Sequence, residues 1–270
     1  MRDSPYILPV RHGVAEEWPG GQRSDGRLLE KAGGRQFFVS GHLSLDAYLS
    51  GGFQRGQLHE IFSGSADDNG SAAGFAVMLA QCGLEPGKTI LWLRTLSAIR
   101  NGGRFNLAGF AELGGDPSAL LMAVAPDETA LLRSATDALR CDGFGIVVIE
   151  CWGSPAILDL TASRRLTLSA KRSGVTAVML RLGAAEQPST ACTRWAVRSA
   201  RSNPLAANAP GYPMLELTLL RQRAGPSGKS WLVEWDRDGR TFRTPSQTEC
   251  DAGHQPAPLP GDVVPVFGVG

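Results

Sequence analysis

The chain has 270 residues, of which 43% are hydrophobic and 20% charged, a balance typical of a globular protein built around one large α/β domain. Its 27 basic and 26 acidic residues leave a net charge of +1, so no overall field draws the chain to nucleic acid or to an anionic membrane. The five cysteines are scattered without a CxxC pair, which argues against a disulfide framework or a cysteine metal site. Because no stretch has the length of a membrane span and the first residues lack an apolar leader, we expect a cytoplasmic location without membrane contact.

Composition divides the chain into three parts. Residues 1–36 are polar and rich in Gly and Arg, which predicts a poorly ordered segment with one short helix around Gly26–Ala32. Residues 244–270 are rich in Pro and predict a disordered tail, or else a peptide that docks on a partner through Val263–Phe267. The folded core domain is therefore expected over residues 37–243.

Apolar strand patterns and helical patterns alternate through the first part of this core. Continuous apolar runs bounded by helices indicate a parallel sheet that is covered on both faces. The predicted strands are Leu58–Phe62, Thr89–Leu93, Leu121–Val124, Gly145–Glu150 and Val175–Arg181, and the predicted helices are Ala72–Cys82, Asp127–Arg140 and Asp159–Ser173.

After about residue 193 the pattern changes to alternating apolar and polar side chains. The segments Thr193–Ser202, Leu215–Arg223 and Ser230–Asp236 therefore predict antiparallel strands. The expected fold is α/β, with a mostly parallel sheet, helices on both faces and an antiparallel C-terminal extension.

The most specific motif lies within residues 40–64. A short helical segment, Leu43–Leu49, ends at Gly51-Gly52, and a turn through Arg55-Gly56 leads into the strand Leu58–Phe62. This arrangement closely resembles the entry to the nucleotide site of RecA-type recombinases, where S-L-S-L-D, G-G-L-P-x-G and E-I-x-G precede the phosphate loop. The resemblance implies the RecA-like P-loop NTPase core.

The loop that follows departs from a phosphate-binding loop. Such a loop needs a glycine-rich turn, then a lysine for the phosphates and a hydroxyl residue for Mg²⁺. Here five residues separate Gly64 from Gly70, Ser71 stands at the lysine position, and Ala72 stands at the hydroxyl position. The loop therefore lacks the residue types that hold a triphosphate.

Acidic residues make the same loop unfavourable for nucleotide. Asp67 and Asp68 place negative charge where a triphosphate would lie, and we predict that they cap the following helix instead. Thr95 stands at about the position of the recombinases' catalytic glutamate and cannot act as a base. Glu150 follows an apolar strand where the resemblance implies the acid that orients Mg²⁺.

We therefore expect a degenerate nucleotide site whose candidate residues are Gly64, Gly70, Ser71 and Glu150. No catalytic residue and no metal ligand set is predicted. We expect no enzymatic activity and no cofactor, with weak binding of ATP and Mg²⁺ left open as an alternative.

Three further segments resemble the ImuA family of RecA-like proteins. They are Gly51–Phe62, Thr193–Ala200 and Leu219–Trp235, and the resemblance covers about residues 40–240. It implies an accessory protein of the DNA damage (SOS) response that acts in translesion synthesis and mutagenesis. The implied partners are an ImuB-type polymerase-like protein of the Y family, with RecA and an error-prone C-family DNA polymerase as further candidates.

Several residues are candidates for an interface. Arg221 and Arg223 match the basic-x-basic pair that recombinases carry at the filament interface, and a solvated strand end is the alternative. Trp195 and Arg198 interleave aromatic and basic character, as in sites for single-stranded nucleic acid. A half-buried tryptophan, with Arg194, Arg198 and Arg201 on the solvent face, is favoured. Because the loop Gly183–Cys192 has no basic residue, we expect DNA contact to be indirect or weak.

The basic helix Asp159–Ser173, with Arg164, Arg165, Lys171 and Arg172, is interpreted as a charged solvent face. A non-catalytic adaptor for the polymerase-like partner is the favoured function. The alternatives are a DNA-dependent ATPase, a modulator of RecA filaments acting through Arg221 and Arg223, and a SulA-like inhibitor of cell division.

Overall fold

The computed structural model describes residues 6–7, 36–205, 209, 211–223 and 225–245. The predicted helix Gly26–Ala32, the segment Val263–Phe267 and most of both predicted tails lie outside the described residues. In chain order the elements are β1 (Tyr6–Ile7), β2 (Phe37–Phe38), α1 (Leu43–Tyr48), β3 (Phe53–Gln54), β4 (Leu58–Ser63), α2 (Asn69–Gly83), β5 (Thr89–Thr95), α3 (Leu96–Gly102), α4 (Leu107–Glu112), β6 (Leu120–Ala125), α5 (Glu128–Ala138), β7 (Phe144–Trp152), α6 (Leu160–Ser173), β8 (Thr176–Leu182), β9 (Thr193–Ala200), β10 (Met214–Gln222), β11 (Ser230–Asp236) and β12 (Thr241–Arg243).

Ten of the described strands form one sheet in the order β1-β6-β5-β7-β8-β4-β9-β10-β11-β12. The central strands β6, β5, β7, β8, β4 and β9 are parallel to their neighbours within this group. The two-residue strand β1 pairs antiparallel with β6 at one edge, and β10, β11 and β12 add antiparallel strands at the other. This mixed sheet is the predicted α/β architecture.

Strand β9 corrects one detail of the prediction. The alternating pattern of Thr193–Ser202 predicts an antiparallel strand, and β9 does pair antiparallel with β10. On its other side, however, β9 runs parallel to β4, with Ile61 beside Trp195. It is therefore the last strand of the parallel region, and the antiparallel extension begins at β10.

Apolar side chains cover both faces of the sheet. Along β7, Ile146 and Val148 pack in the core on the side of α2, whereas Val147 and Ile149 pack in the core on the side of α5 and α6. Successive strand residues point to opposite faces, so a continuous apolar strand is what a sheet covered on both sides requires. Helix α2 is itself buried over much of its circumference, which matches its nearly uniform apolar sequence.

The two helices on the other face both begin at an aspartate cap, and α6 also ends at a glycine. Asp127 accepts a hydrogen bond from the backbone N–H of Ala130 at 2.8 Å, and Asp159 accepts one from Ala162 at 2.7 Å. Helix α6 ends at Gly174, which adopts a left-handed conformation with φ of 82°. Helices α5 and α6 follow β6 and β7 in the chain and pack against each other on this face of the sheet.

None of the helices in the described part of the chain is both long enough and apolar enough to cross a membrane.

Candidate functional site

The loop between β4 and α2 occupies the position of a phosphate loop in this fold. A single turn of 3₁₀-helix, Ala66–Asp68, leads directly into α2 at Asn69. The backbone N–H of Asp68 donates to the carbonyl of Ser65 at 3.2 Å, and Gly64 N–H donates to the carbonyl of Val197 in β9 at 2.8 Å. The loop is thus folded on itself and against β9.

Asp68 holds this loop in place. One carboxylate oxygen accepts from the backbone N–H of Ser199 at 2.8 Å and from its hydroxyl at 3.0 Å, and the other accepts from Ser65 Oγ at 2.7 Å. The backbone N–H of Ser199 and the Ser65 hydroxyl lower the pKa of Asp68. Asp68 stands before α2, but its carboxylate makes no capping bond to that helix, so the capping prediction was wrong for this residue. Its carboxylate instead ties the loop to β9.

Gly64 and Arg198, predicted separately as nucleotide and interface residues, lie in contact. A Cβ placed on Gly64 would come within 2.9 Å of Arg198 Nε and closer still to its Cγ. The exposed Arg198 side chain therefore packs directly over the start of the loop. Its charge also lowers the pKa of Asp68, after the larger effects of hydrogen bonding.

The two other loop candidates lie in the first turn of α2. Gly70 is exposed and has open space around its Cα, whereas Ser71 is partly buried. Thr95, at the position of the recombinases' catalytic glutamate, is buried and accepts a hydrogen bond from the backbone N–H of Ala98 at 3.0 Å. It serves as the N-cap of α3, a structural role.

Glu150 is buried and paired within the sheet. Its Oε1 accepts from Arg94 Nη2 at 2.7 Å, and its Oε2 accepts from Trp92 Nε1 at 2.7 Å. The side chains of Arg94 and Glu150 are each only 5% exposed. The sequence predicts Glu150 at the strand end, but β7 continues to Trp152, so the acid lies inside the strand.

Arg94 was missed by the sequence interpretation, although a signal exists. It interrupts the apolar strand β5, where an unpaired guanidinium would be costly to bury. The register places Arg94 beside Glu150 on the adjacent strand β7. A charged residue of each sign in neighbouring buried strands is a pattern that predicts an ion pair.

A cleft of about 660 Å³ lies above this ion pair, between the first turns of α2 and the segment that contains α3 and α4. Aromatic, small and polar side chains line it together, and Trp92 packs on Phe105 with ring centroids 5.1 Å apart. Arg94 Nε and Trp152 Nε1 are buried at its edge without a hydrogen-bond partner among the described residues. Both are donors, so this edge suits a hydrogen-bond acceptor and not a metal cation.

These contacts do not fit the binding of ATP with Mg²⁺ that the fold implies. Each Glu150 oxygen already accepts a hydrogen bond, and the Arg94 charge lies where a cation would have to approach. Arg198 and Asp68 occupy the loop that phosphates would contact. Within the described residues, no group of three or more His, Cys, Asp or Glu side chains could hold a metal ion.

The interface candidate Trp195 is fully buried, whereas the sequence favoured a half-buried tryptophan. Its Nε1 donates to Thr193 Oγ1 at 2.8 Å, and Thr193 Oγ1 lies 2.7 Å from His59 Nδ1. His59 Nε2 lies 2.9 Å from the carbonyl of Gln54, so it carries the proton, and the Thr193 hydroxyl donates to Nδ1. Burial lowers the pKa of His59 to about 4, which keeps the ring neutral.

Arg194 is also buried, contrary to the predicted solvent face. Its Nε donates to Glu60 Oε2 at 2.9 Å, and Ser189 Oγ donates to the same oxygen at 2.7 Å. Arg221 and Arg223 are exposed, but each donates to the same loop, to the carbonyls of Ser189 at 3.1 Å and Thr190 at 2.7 Å respectively. The interface candidates of β10 thus help to fix the loop between β8 and β9.

Among solved structures, the chain is similar to a RadB recombinase, with a TM-score of 0.52 and 16% sequence identity over 77% of this chain and 99% of that chain. Comparison with protein-family models gave no match. Comparison with curated proteins also gave no match. At this identity, the likeness establishes the fold and leaves function to the residues of the site.

The chain therefore has a RecA-like α/β fold, as its leader segment predicts. In the region that corresponds to a nucleotide site, internal hydrogen bonds and an ion pair engage the loop and the acid of β7.

Proposed function

We propose that this chain is a non-catalytic RecA-like accessory protein that acts by binding other proteins. The observation that carries the proposal is the buried pair of Arg94 and Glu150, which neutralises the acid that would otherwise orient Mg²⁺. The absence of a lysine at position 71 and the Asp68 contacts to β9 support the same conclusion. The loop has neither the lysine that holds the phosphates nor the hydroxyl residue that holds Mg²⁺, so the usual sources of transition-state stabilisation for phosphoryl transfer are missing from it.

The finer role that we propose is assembly with an ImuB-type polymerase-like partner in damage-induced translesion synthesis. The motif resemblance over residues 40–240 supports it, and the RecA-like fold agrees with that resemblance. In this role RecA and an error-prone C-family DNA polymerase are further candidate partners, and the chain contacts DNA weakly or through those partners.

A paired experiment tests this function. Labelled ATP is titrated into the purified full chain with Mg²⁺, and phosphate release is measured with and without single-stranded DNA. We expect no saturable binding at micromolar ATP and no turnover above that of buffer. Micromolar binding that Gly70→Asp abolishes would instead support the DNA-dependent ATPase.

The partner is tested separately by co-expression with an ImuB-type protein. A complex that survives gel filtration at micromolar concentration supports the adaptor role, and failure to co-elute contradicts it. Unchanged strand exchange by RecA in the presence of the chain would exclude a filament modulator. Normal cell length on overexpression would exclude a SulA-like inhibitor.

A further inference from the structure

A second concave surface lies far from the cleft, on the face of the sheet that α5 and α6 cover. It is a groove of about 440 Å³ between the two helices and the segment before α6. Its apolar lining comes from Leu132 of α5, Leu166 of α6 and Ile157 in that segment. Leu166 is buried, whereas Ile157 is 42% exposed, so the groove has an apolar floor with an exposed apolar rim.

Exposed apolar side chains lie at the rim of this groove and elsewhere on α6. Ile157, Leu160 and Leu168 have relative exposures of 42%, 52% and 44%. All three lie on α6 or immediately before it. Of the three, Ile157 lines the groove itself, whereas Leu168 adds apolar surface further along α6.

Basic side chains flank the apolar floor. Arg133 of α5 and Arg165 of α6 line the groove from its two helices, and both are exposed. Within the described part of the chain, neither forms an ion pair. The two acids that also line the groove are engaged elsewhere: Asp159 caps α6, and Asp137 pairs with Arg140 at 3.6 Å. The four charged side chains that line the groove balance in sign, and the positive excess of this surface comes from α6, which carries Arg164, Arg165, Lys171 and Arg172 and no acidic residue.

The surface continues along α6 at helical spacing. Thr161, Arg165, Leu168 and Arg172 are separated by four, three and four residues and are all exposed, so they lie on one side of the helix. Apolar and basic positions thus repeat along the axis of α6. A partner helix with apolar and acidic residues at matching spacing would contact the apolar and the basic positions of α6 together.

We propose that the groove between α5 and α6 binds an amphipathic, acidic helical segment of a partner protein. The partner's apolar side chains would pack on Leu132, Ile157 and Leu166, and its carboxylates would pair with Arg133 and Arg165. Charge complementarity selects an acidic segment, because a basic one would face the arginines and the lysine of α6. This proposal does not depend on the identity of the partner in translesion synthesis.

The apolar content of the surface favours a peptide over nucleic acid. A site for single-stranded nucleic acid needs aromatic side chains on which bases stack, and the residues that line this groove include none. The exposed side chains are aliphatic, which suits packing against leucine or isoleucine. A nucleic-acid ligand is therefore an outcome that would overturn the proposal.

The test measures fluorescence anisotropy with the full chain and a labelled helical peptide that carries Leu at i, i+4 and i+7 and Glu at the flanking positions. Two control peptides replace Glu by Lys, or Leu by Ser. The groove variants are Arg133→Glu/Arg165→Glu and Leu168→Asp, with Arg133→Gln/Arg165→Gln as a milder pair. Arg100→Glu, an exposed basic residue of α3, is the matched control.

We expect micromolar binding of the acidic peptide, weakened about tenfold or more by the double charge reversal and less by the glutamine pair. Binding should weaken with salt, stay unchanged in Arg100→Glu, and be lost with either control peptide. No binding of the acidic peptide to the wild type, or equal binding to the double charge-reversal variant, overturns the proposal. Stronger binding of an oligothymidine, lost in the same variant, overturns it in favour of nucleic acid.

Discussion

Arg94 and Glu150 occupy neighbouring positions on the adjacent parallel strands β5 and β7, and their side chains meet at 2.7 Å inside the protein. The carboxylate also accepts a hydrogen bond from Trp92, so its charge is compensated by two donors. A buried ion pair of this kind adds little net stability, but removing one partner leaves the other charge unpaired.

Replacement of one partner should therefore destabilise the fold strongly. We expect Arg94→Met to lower the free energy of unfolding by about 3–5 kcal/mol, measured by urea denaturation. The double change Arg94→Met/Glu150→Met should recover most of this loss. The matched control is Arg140→Met, which breaks the exposed pair with Asp137 and should cost less than about 1 kcal/mol. Equal costs for Arg94→Met and Arg140→Met would contradict a buried pair.

Introducing the missing lysine should not create an ATPase. In Ser71→Lys the new ammonium would lie in the first turn of α2, but Glu150 would still be paired with Arg94 and the loop would still be tied to Ser199. Phosphate release should stay at the level of buffer, with and without single-stranded DNA. Turnover by this single variant would show that Arg94 leaves Glu150 free to act.

The contact between Gly64 and Arg198 predicts a coupled pair. Gly64→Ala places a methyl group against the Arg198 side chain, and we expect a loss of about 1 kcal/mol in stability. Because the obstructing atoms belong to a flexible side chain, Arg198→Ala should remove most of the penalty in the double variant. A double-mutant cycle by thermal denaturation measures the coupling. Additive effects would mean that Arg198 does not cover the loop.

His59 should make stability depend on pH. Its pKa is about 4 in the folded protein, against 6.5 as the ordinary value, so the unfolded chain binds a proton that the folded chain excludes. This contribution is complete above pH 6.5 and is lost as the pH falls towards 4, with a total of about 3 kcal/mol.

The measurement compares urea denaturation of the wild type and His59→Gln from pH 7 to pH 4. Carboxylates titrate in both proteins, so the difference between the two curves isolates the imidazole. The free energy of unfolding of the wild type should exceed that of His59→Gln by less and less as the pH falls. A difference in the free energy of unfolding that does not change with pH would show that His59 has the same pKa in the folded and unfolded states.

Patterns that depend on local spacing were predicted well. Ser230–Asp236 was predicted with both ends correct, and helix α6 was predicted one residue too early because Asp159 is its cap. Elements that lack a periodic apolar pattern were not predicted: α3 and α4 are short, and they are stabilised by the caps Thr95 and Asn106. Helices α3 and α4 form one wall of the cleft above Arg94 and Glu150.

Contacts between distant segments account for the remaining errors. Strand β9 was predicted from the alternation of its side chains alone. That pattern does not show that β9 pairs with β4 on one side and with β10 on the other. Arg194 was assigned to the solvent face because its partner was not recognised. That partner, Glu60, lies on a strand more than a hundred residues away in sequence. The bonds from Asp68 to Ser199 are of the same kind.

The internal bonds of the loop and of Glu150 also bear on how this chain could change over generations. A mutation that supplied a lysine would bring no benefit while Arg94 still held the acid, and losing Arg94 first would endanger folding. Several substitutions would have to arise together before any of them was favoured. Under the proposed function, a gain of nucleotide chemistry would therefore be opposed by epistasis, and selection would act mainly on the surfaces of the molecule.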